Sequence, residues 1–222
     1  IKAAINGFGR IGRLAFRAGI ERGDVDFAAV NAPDKSPEMV AYALKFDSVH
    51  GMFQGEISYD EDSITVNGRR YPVLDQRDPA RLPWKELGVE YVLECTGKFL
   101  TKASAQPHLD AGAGLVVLSA PAKDDTPMLV MGVNHRDFDP GMRVISNASC
   151  TTNCLAPLAK VVNDRFGILE GLITTIHAGT INQNVVDNFN RSKRNFRMSR
   201  TAMDNIIMTS TGAAKAVGKV IP

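Results

Sequence analysis

The chain has 222 residues, 44% hydrophobic and 23% charged, a globular composition that excludes wholesale disorder. Lys and Arg number 26 against 24 Asp and Glu, and a net charge of +2 gives no electrostatic warrant for a nucleic-acid or membrane partner. Three Cys cannot build a disulfide framework and no apolar run approaches the roughly 20 residues of a membrane helix, so a reducing, cytoplasmic setting is expected. The chain enters a strand-like run at Ile1, with no Met and no charged-then-apolar leader, and stops at Pro222. It reads as part of a longer chain.

Ile1–Ile5 predicts a short buried strand. Gly7, Gly9 and Gly12 follow, then a helix to about Ile20 with Ile11, Leu14, Ala15 and Ala18 at helical spacing. Val25–Val30 predicts a second strand. Ser36–Leu44 predicts a helix with Ser36 as its N-cap and Pro37 at its first position. Ile57–Tyr59, Ile64–Val66 and Tyr71–Leu74, with Asn67-Gly68 between the last two, predict a small antiparallel excursion. Tyr91–Glu94 and Leu115–Leu118 predict core strands either side of a helix near Thr101–Ala111. This alternation predicts an α/β fold, a doubly wound parallel sheet with right-handed crossovers.

A second region starts near Asn147, and the expected division is residues 1–148 and 149–222. Cys150–Phe166 carries Leu155, Leu158, Val162 and Phe166 on one helical face, and Pro157 should kink it or shorten its first part. Gly171–His177 reads as a strand, and Asn182–Asp204 as a long polar, basic loop.

Ile5–Gly12 places G-x-G-x-x-G between a predicted strand and a predicted helix. Gly7 permits the tight turn, Gly9 lets a pyrophosphate approach the backbone, and Gly12 lets helix and strand pack closely. The helix N-terminus then offers free N–H groups to the phosphates. An acid near the end of the second strand would bind the ribose 2′-OH of NAD. Ala32 occupies that place, which opens the site to NADP, unless Asp34 or a loop shift supplies the contact.

Cys150 stands at a predicted helix N-terminus, where the dipole and free N–H groups favour the nucleophilic thiolate. His177, closing its predicted strand, could face and activate it, while Ser149, Thr151 and Thr152 add donors for a phosphate or oxyanion. Cys154 and Cys95 read as buried packing residues. The four His are scattered and no Cys/His spacing fits zinc, so no metal is expected.

These residues resemble the glyceraldehyde-3-phosphate dehydrogenase family across nearly the whole chain. The resemblance rests on INGFGRIGR at Ile5–Arg13, KFDSVHG at Lys45–Gly51, ECTGKF at Glu94–Phe99 and SAPA at Ser119–Ala122. It continues through SNASCTTNCLAP at Ser146–Pro157, TTIH at Thr174–His177 and TSTGAAKAV at Thr209–Val217. It implies a Rossmann domain followed by part of an α+β catalytic domain, with the C-terminal third lacking. Arg10 and Ile11 then lie against the cofactor pyrophosphate, Arg77 near the adenosine, and Thr96 and Ser119 on the nicotinamide side. Cys150 is the nucleophile and His177 its base. Ser149, Thr151, Thr211 and Gly212 resemble the phosphate pocket and Thr180 a contact to the substrate's own phosphate. The implied reaction is NAD(P)-dependent oxidative phosphorylation of glyceraldehyde 3-phosphate to 1,3-bisphosphoglycerate through a Cys thioester, in glycolysis, gluconeogenesis or carbon fixation. The implied partners are a triose phosphate, inorganic phosphate and further copies in a homotetramer.

The chain also departs from the family pattern. Ala32 replaces an acid and Asn188-Phe189 a Leu-Pro pair, which tilts the expectation to NADP, with NAD open. Gly179 replaces an aromatic after His177, and Met198 an arginine of the phosphate pocket, for which Arg194, Arg197 or Arg200 would compensate. The alternatives are an erythrose-4-phosphate dehydrogenase, or a diverged dinucleotide-binding homologue without catalysis.

Overall fold

A computed structural model describes residues 1–189 and 195–221, which form two compact units, Ile1–Ser149 and Cys150–Pro222. Strands β1 (Lys2–Asn6), β2 (Asp26–Asn31), β3 (Ile57–Tyr59), β4 (Ser63–Val66), β5 (Arg69–Leu74), β6 (Tyr91–Glu94), β7 (Leu115–Leu118) and β8 (Val144–Ser146) belong to the first unit. They make one sheet in the order β3-β4-β5-β2-β1-β6-β7-β8. From β5 to β8 every pairing is parallel. The chain winds outward from β1 through β2 to β5, then returns to the other side of β1 for β6, β7 and β8. The reversal between β1 and β6 is the topological switch point, where sheets of this kind open a crevice at their carboxyl ends. Asn6 is in register with Asn31 on one side and Glu94 on the other, so three polar side chains end three central strands in one row.

The turns and caps explain where the elements begin. Asn67 (φ 50°) and Gly68 (φ 79°) both take left-handed backbone, the I′ geometry that joins β4 to β5 without splaying them. Helix α1 (Arg10–Arg22) starts at Gly9. Helix α2 (Pro37–Lys45) is capped by Ser36 Oγ, which accepts the Met39 N–H at 3.2 Å. Helix α3 (Lys102–Asp110) begins in a capping box between Thr101 and Ser104.

The two sheet faces bury separate cores. On one, Phe16 from α1 packs among Phe8, Phe27 and Tyr71 at ring separations of 5.7, 4.9 and 5.1 Å. On the other, Trp84 is fully buried with Val92, Val116 and Leu118. Each such large side chain contributes on the order of 1.5–3 kcal/mol of burial. Arg17 is buried as well: its guanidinium donates to the carbonyls of Leu44, Lys45 and Gly51, closing the C-terminal end of α2.

In the second unit, helix α4 (Cys150–Phe166) packs with α5 (Ala213–Val220). Pro157 lies inside α4, which runs unbroken for 17 residues, so the expected shortening does not occur. The predicted apolar face is not the buried one: Thr152 and Ala156 are buried, whereas Leu158, Val162 and Phe166 are exposed. Cys154 is likewise exposed, not the buried packing residue expected. The strand predicted over Gly171–His177 is absent, because no described segment offers those residues a ladder. In the long loop a bridge joins Asn184 to Thr201, and Phe196–Ser199 forms a 3₁₀ turn. Arg194 falls outside the described residues. Among those described, no helix is long and apolar enough to cross a membrane.

Candidate functional site

The glycine loop after β1 is shaped by close approach. Gly7, at φ +95°, donates its N–H to the Asn31 carbonyl at 2.9 Å. A Cβ there would fall 2.8 Å from Thr96 N, and one at Gly12 would fall 2.1 Å from the Gly7 carbonyl oxygen. A Cβ at Gly9 would meet nothing within 4 Å. The loop is therefore packed against protein at Gly7 and Gly12 and open at Gly9. The start of α1 has no side-chain cap and no acid in its first turn. This cradle, open at Gly9 and leading into an uncapped helix start, fits a pyrophosphate.

Around the cradle, Arg10 is held in place by Asp47, whose Oδ1 also accepts the N–H groups of Val49 and His50 at 2.9 and 2.8 Å. Hydrogen bonds from Arg10 and then from the His50 backbone hold the Asp47 carboxyl well below the usual carboxylate range. Ile11 is half exposed beside it. Ala32 is buried at the end of β2, so no carboxylate stands there. Asp34, at φ 62°, instead takes the Arg77 guanidinium on its carboxylate. Burial pushes the Cys95 thiol up to about 11, despite a hydrogen bond with Ser119.

At the ends of β1, β2 and β6 lies a polar network that sequence reasoning missed. Glu94, fully buried, accepts the Asn6 side-chain N–H at 2.5 Å and the Thr96 backbone N–H at 2.7 Å. The Thr96 hydroxyl also donates to it, and His108 Nε2 lies 3.2 Å away. Trp84 Nε1 donates to His108 Nδ1 at 2.9 Å. Asn31 donates to Asn6 Oδ1 at 2.7 Å. One signal was available: three apolar strands each end in a polar residue where another apolar one would pack.

In the second unit Cys150 Sγ lies 3.2 Å from His177 Nε2. Cys150 opens α4, and His177 Nδ1 donates to the Ala178 carbonyl at 2.9 Å, which leaves Nε2 to face the sulfur. The His177 hydrogen bond first, then the Thr151 N–H and hydroxyl, pull the Cys150 thiol below its ordinary value. The Ala178 carbonyl and the Cys150 sulfur raise His177. Both shifts favour a thiolate beside an imidazolium. It borders a cleft of about 590 Å³ between the first turns of α4 and residues 172–178, lined also by Cys154, Leu155, Leu172 and Thr174. Among the described residues no group of three or more metal-ligating side chains occurs.

Residues 1–102 match the family model described as "Glyceraldehyde 3-phosphate dehydrogenase, NAD binding domain", and residues 149–222 match "Glyceraldehyde 3-phosphate dehydrogenase, C-terminal domain". The chain belongs to the glyceraldehyde-3-phosphate dehydrogenase family. It is 55% identical over 222 residues to the glyceraldehyde-3-phosphate dehydrogenase of Cochliobolus heterostrophus, covering 100% of this chain and 65% of that one. The enzyme of Ogataea parapolymorpha is 53% identical over 218 residues, covering 98% of this chain and 64% of the relative. That of Ajellomyces capsulatus is 55% identical over 219 residues, 99% and 64%. The chain thus spans about 65% of the length of the curated relatives it matches.

The remaining residues that the resemblance to glyceraldehyde-3-phosphate dehydrogenases singled out have these surroundings. Ser149 directly precedes α4, and Thr151 lies in its first turn. Thr180 donates its N–H to Gln183 Oε1 at 2.8 Å. Gly212 is the N-cap of α5, and Thr211 Oγ1 accepts the Ala213 N–H at 3.2 Å. Arg200 is paired with Asp187, not left open to an anion. Asn188 donates its N–H to the Ser199 carbonyl at 2.9 Å, and the Phe189 ring is fully exposed.

Proposed function

We propose that this chain carries the nucleophile and base of an NAD(P)-dependent phosphorylating aldehyde dehydrogenase acting on glyceraldehyde 3-phosphate. The supporting observation is the Cys150 sulfur 3.2 Å from His177 Nε2 at a helix N-terminus, with Nδ1 tied to a backbone carbonyl. Cys150 Sγ, as thiolate, adds to the aldehyde carbon. His177 holds the thiol proton at Nε2 and returns it to the carbonyl oxygen, giving a hemithioacetal. The amides of the first turn of α4 and the Thr151 hydroxyl are the donors nearest the developing oxyanion. The chemistry a nicotinamide dinucleotide supplies is acceptance of a hydride, and Gly7, Gly9, Arg10, Ile11, Gly12, Arg77, Thr96 and Ser119 would hold it. Inorganic phosphate, met by Ser149, Thr151, Thr211 and Gly212, attacks the thioester carbonyl and displaces Cys150 Sγ as thiolate. Thr180 and Arg200 serve the substrate's phosphate, Arg200 once Asp187 releases it. The active protein is a homotetramer.

NADP is the preferred dinucleotide. Ala32 places no charge against a 2′-phosphate, and the Asp34 carboxylate two residues on is paired with the Arg77 guanidinium.

The test is to mix the chain with glyceraldehyde 3-phosphate and each dinucleotide and follow its intact mass. An acyl adduct that forms on Cys150, disappears on adding phosphate and is missing in Cys150→Ser is the expected result. Dinucleotide reduction by Cys150→Ser at the wild-type rate would overturn the mechanism.

A further inference from the structure

The buried network at the switch point is directional. The Gln76 backbone sets one end: its N–H donates to Asn31 Oδ1 at 3.0 Å and its carbonyl accepts from Asn31 Nδ2 at 2.7 Å. Asn31 cannot flip without opposing two N–H groups, and its Nδ2 also donates to Asn6 Oδ1. Asn6 Nδ2 is thereby aimed at Glu94 Oε2. Trp84 sets the other end. Its indole N–H is a donor only, so His108 Nδ1 must be the lone-pair nitrogen and the ring proton must sit on Nε2, facing the same Glu94 oxygen. The Thr96 backbone N–H is a third fixed donor, on Oε1. Donors set from three directions converge on the two oxygens of one side chain, and a carboxyl group can accept from all of them where an amide cannot.

The carboxylate ties together the two loops that follow β1 and β6 at the switch point. Asn6 is the last residue of β1, immediately before Gly7; Thr96 follows β6 and lies against the place where a Gly7 Cβ would be. We infer that Glu94 is a positioning residue for dinucleotide binding, clamping the Gly7 loop to the Thr96 loop through Asn6, with Trp84 and His108 fixing the clamp's polarity. The inference rests on the dinucleotide site proposed above and deepens it. Glu94 touches no reacting atom.

Glu94→Gln keeps shape and removes acceptor capacity. Whichever way the amide is turned, its NH₂ faces a fixed donor: Thr96 on one side, Asn6 and His108 on the other. The expected result is binding of NAD⁺ and NADP⁺ weakened by about tenfold or more, because without the clamp the Gly7 and Thr96 loops are no longer held in one relative position before the ligand arrives. Far-UV circular dichroism should be unchanged. The double variant Asn6→Asp with Glu94→Gln moves the carboxylate across the contact. The carboxylate introduced at position 6 then accepts from Asn31, His108 and the amide introduced at position 94, whose own oxygen accepts from Thr96. Binding should return to near the wild-type value.

Trp84 is the chain's single tryptophan, so its emission should change when NAD⁺ binds, lose that change in Glu94→Gln and regain it in the double variant. Glu94→Gln with a lower denaturation midpoint but unchanged dinucleotide affinity would make the carboxylate merely structural and overturn the inference. A double variant that folds yet fails to regain affinity would do the same. One arm needs no variant: ¹⁵N NMR of the wild-type chain should find His108 neutral with its proton on Nε2, and a charged or Nδ1-protonated ring would refute the clamp. Wild-type chain that binds neither dinucleotide would sink the dinucleotide reading itself, an outcome separate from failure of the clamp.

Discussion

Gly9 and Gly12 separate the two demands on the nucleotide loop. A Cβ at Gly12 would lie 2.1 Å from the Gly7 carbonyl oxygen and 3.0 Å from Ile5 Cγ2, both inside β1 and its loop. Relief needs α1 to move by about 1.4 Å, given that such atoms sit comfortably near 3.5 Å. Overpacking of that kind costs about 3 kcal/mol. The helix-propensity gain of Ala over Gly returns about 0.5–1 kcal/mol, leaving a net loss of roughly 2 kcal/mol. With a urea m-value of about 2 kcal/mol/M, Gly12→Ala should lower the unfolding midpoint by about 1 M. Gly9 has φ −74° and open space beside it, so Ala there strains nothing. Its weaker N-capping and its lower unfolded-state entropy are each below or near 1 kcal/mol and oppose one another. Gly9→Ala should therefore melt within about 0.3 M of wild type. Its new methyl stands where a pyrophosphate meets the backbone, and dinucleotide affinity should fall by about tenfold or more. The assay is urea unfolding followed by Trp84 emission, beside calorimetric titration with NAD⁺ and NADP⁺. Gly12→Ala as stable as wild type, or Gly9→Ala binding as tightly, would refute the division of roles.

Other outcomes follow from the thiols and the charged residues. Cys150 is held below its ordinary range by His177, so its thiolate persists as pH falls below the free-cysteine value and is lost only further down. Its alkylation rate should thus inflect below that of free cysteine, and His177→Gln should move the inflection upward; an unmoved inflection would deny the pairing. Cys150 and Cys154 are exposed whereas Cys95 is half-buried with its thiol raised to about 11, so two thiols should label quickly and the third markedly more slowly, counted by mass. Asp34→Asn should release Arg77 and shift the binding ratio towards NADP⁺ by about two- to fivefold, while Arg77→Gln shifts it the other way, as one exposed charge contact allows.

Much of the first unit was legible because its signals are local. Ser36-Pro37 starts a helix, Asn67-Gly68 turns a hairpin and Gly7-x-Gly9 opens the nucleotide loop, each through the backbone of a few neighbouring residues. The meeting of Cys150 with His177 was also anticipated, although not its backbone: Gly171–His177 was read as a strand from its apolar residues. A strand is a relation between two segments, and one segment cannot announce whether its partner is there. Cys154 failed for a similar reason, since helical spacing names a face without saying what covers it. The Glu94 network was hidden by distance, its members lying 88 and 102 residues from Asn6. Polar strand ends hint that something is paired there, but no local pattern says with what.

The place of β1 in the sheet bears on how the chain is made. This first strand lies in the middle, bonded to β2 on one edge and to β6 on the other. A ribosome working at roughly 5–20 residues per second delivers the second partner several seconds after the first. During that interval Ala3, Ala4 and Ile5 present a bare, sticky edge to solvent or to a chaperone. The β3–β5 meander closes on itself and needs no such wait. Nascent-chain stalling before and after residue 94 should separate a protease-sensitive β1 from a protected one.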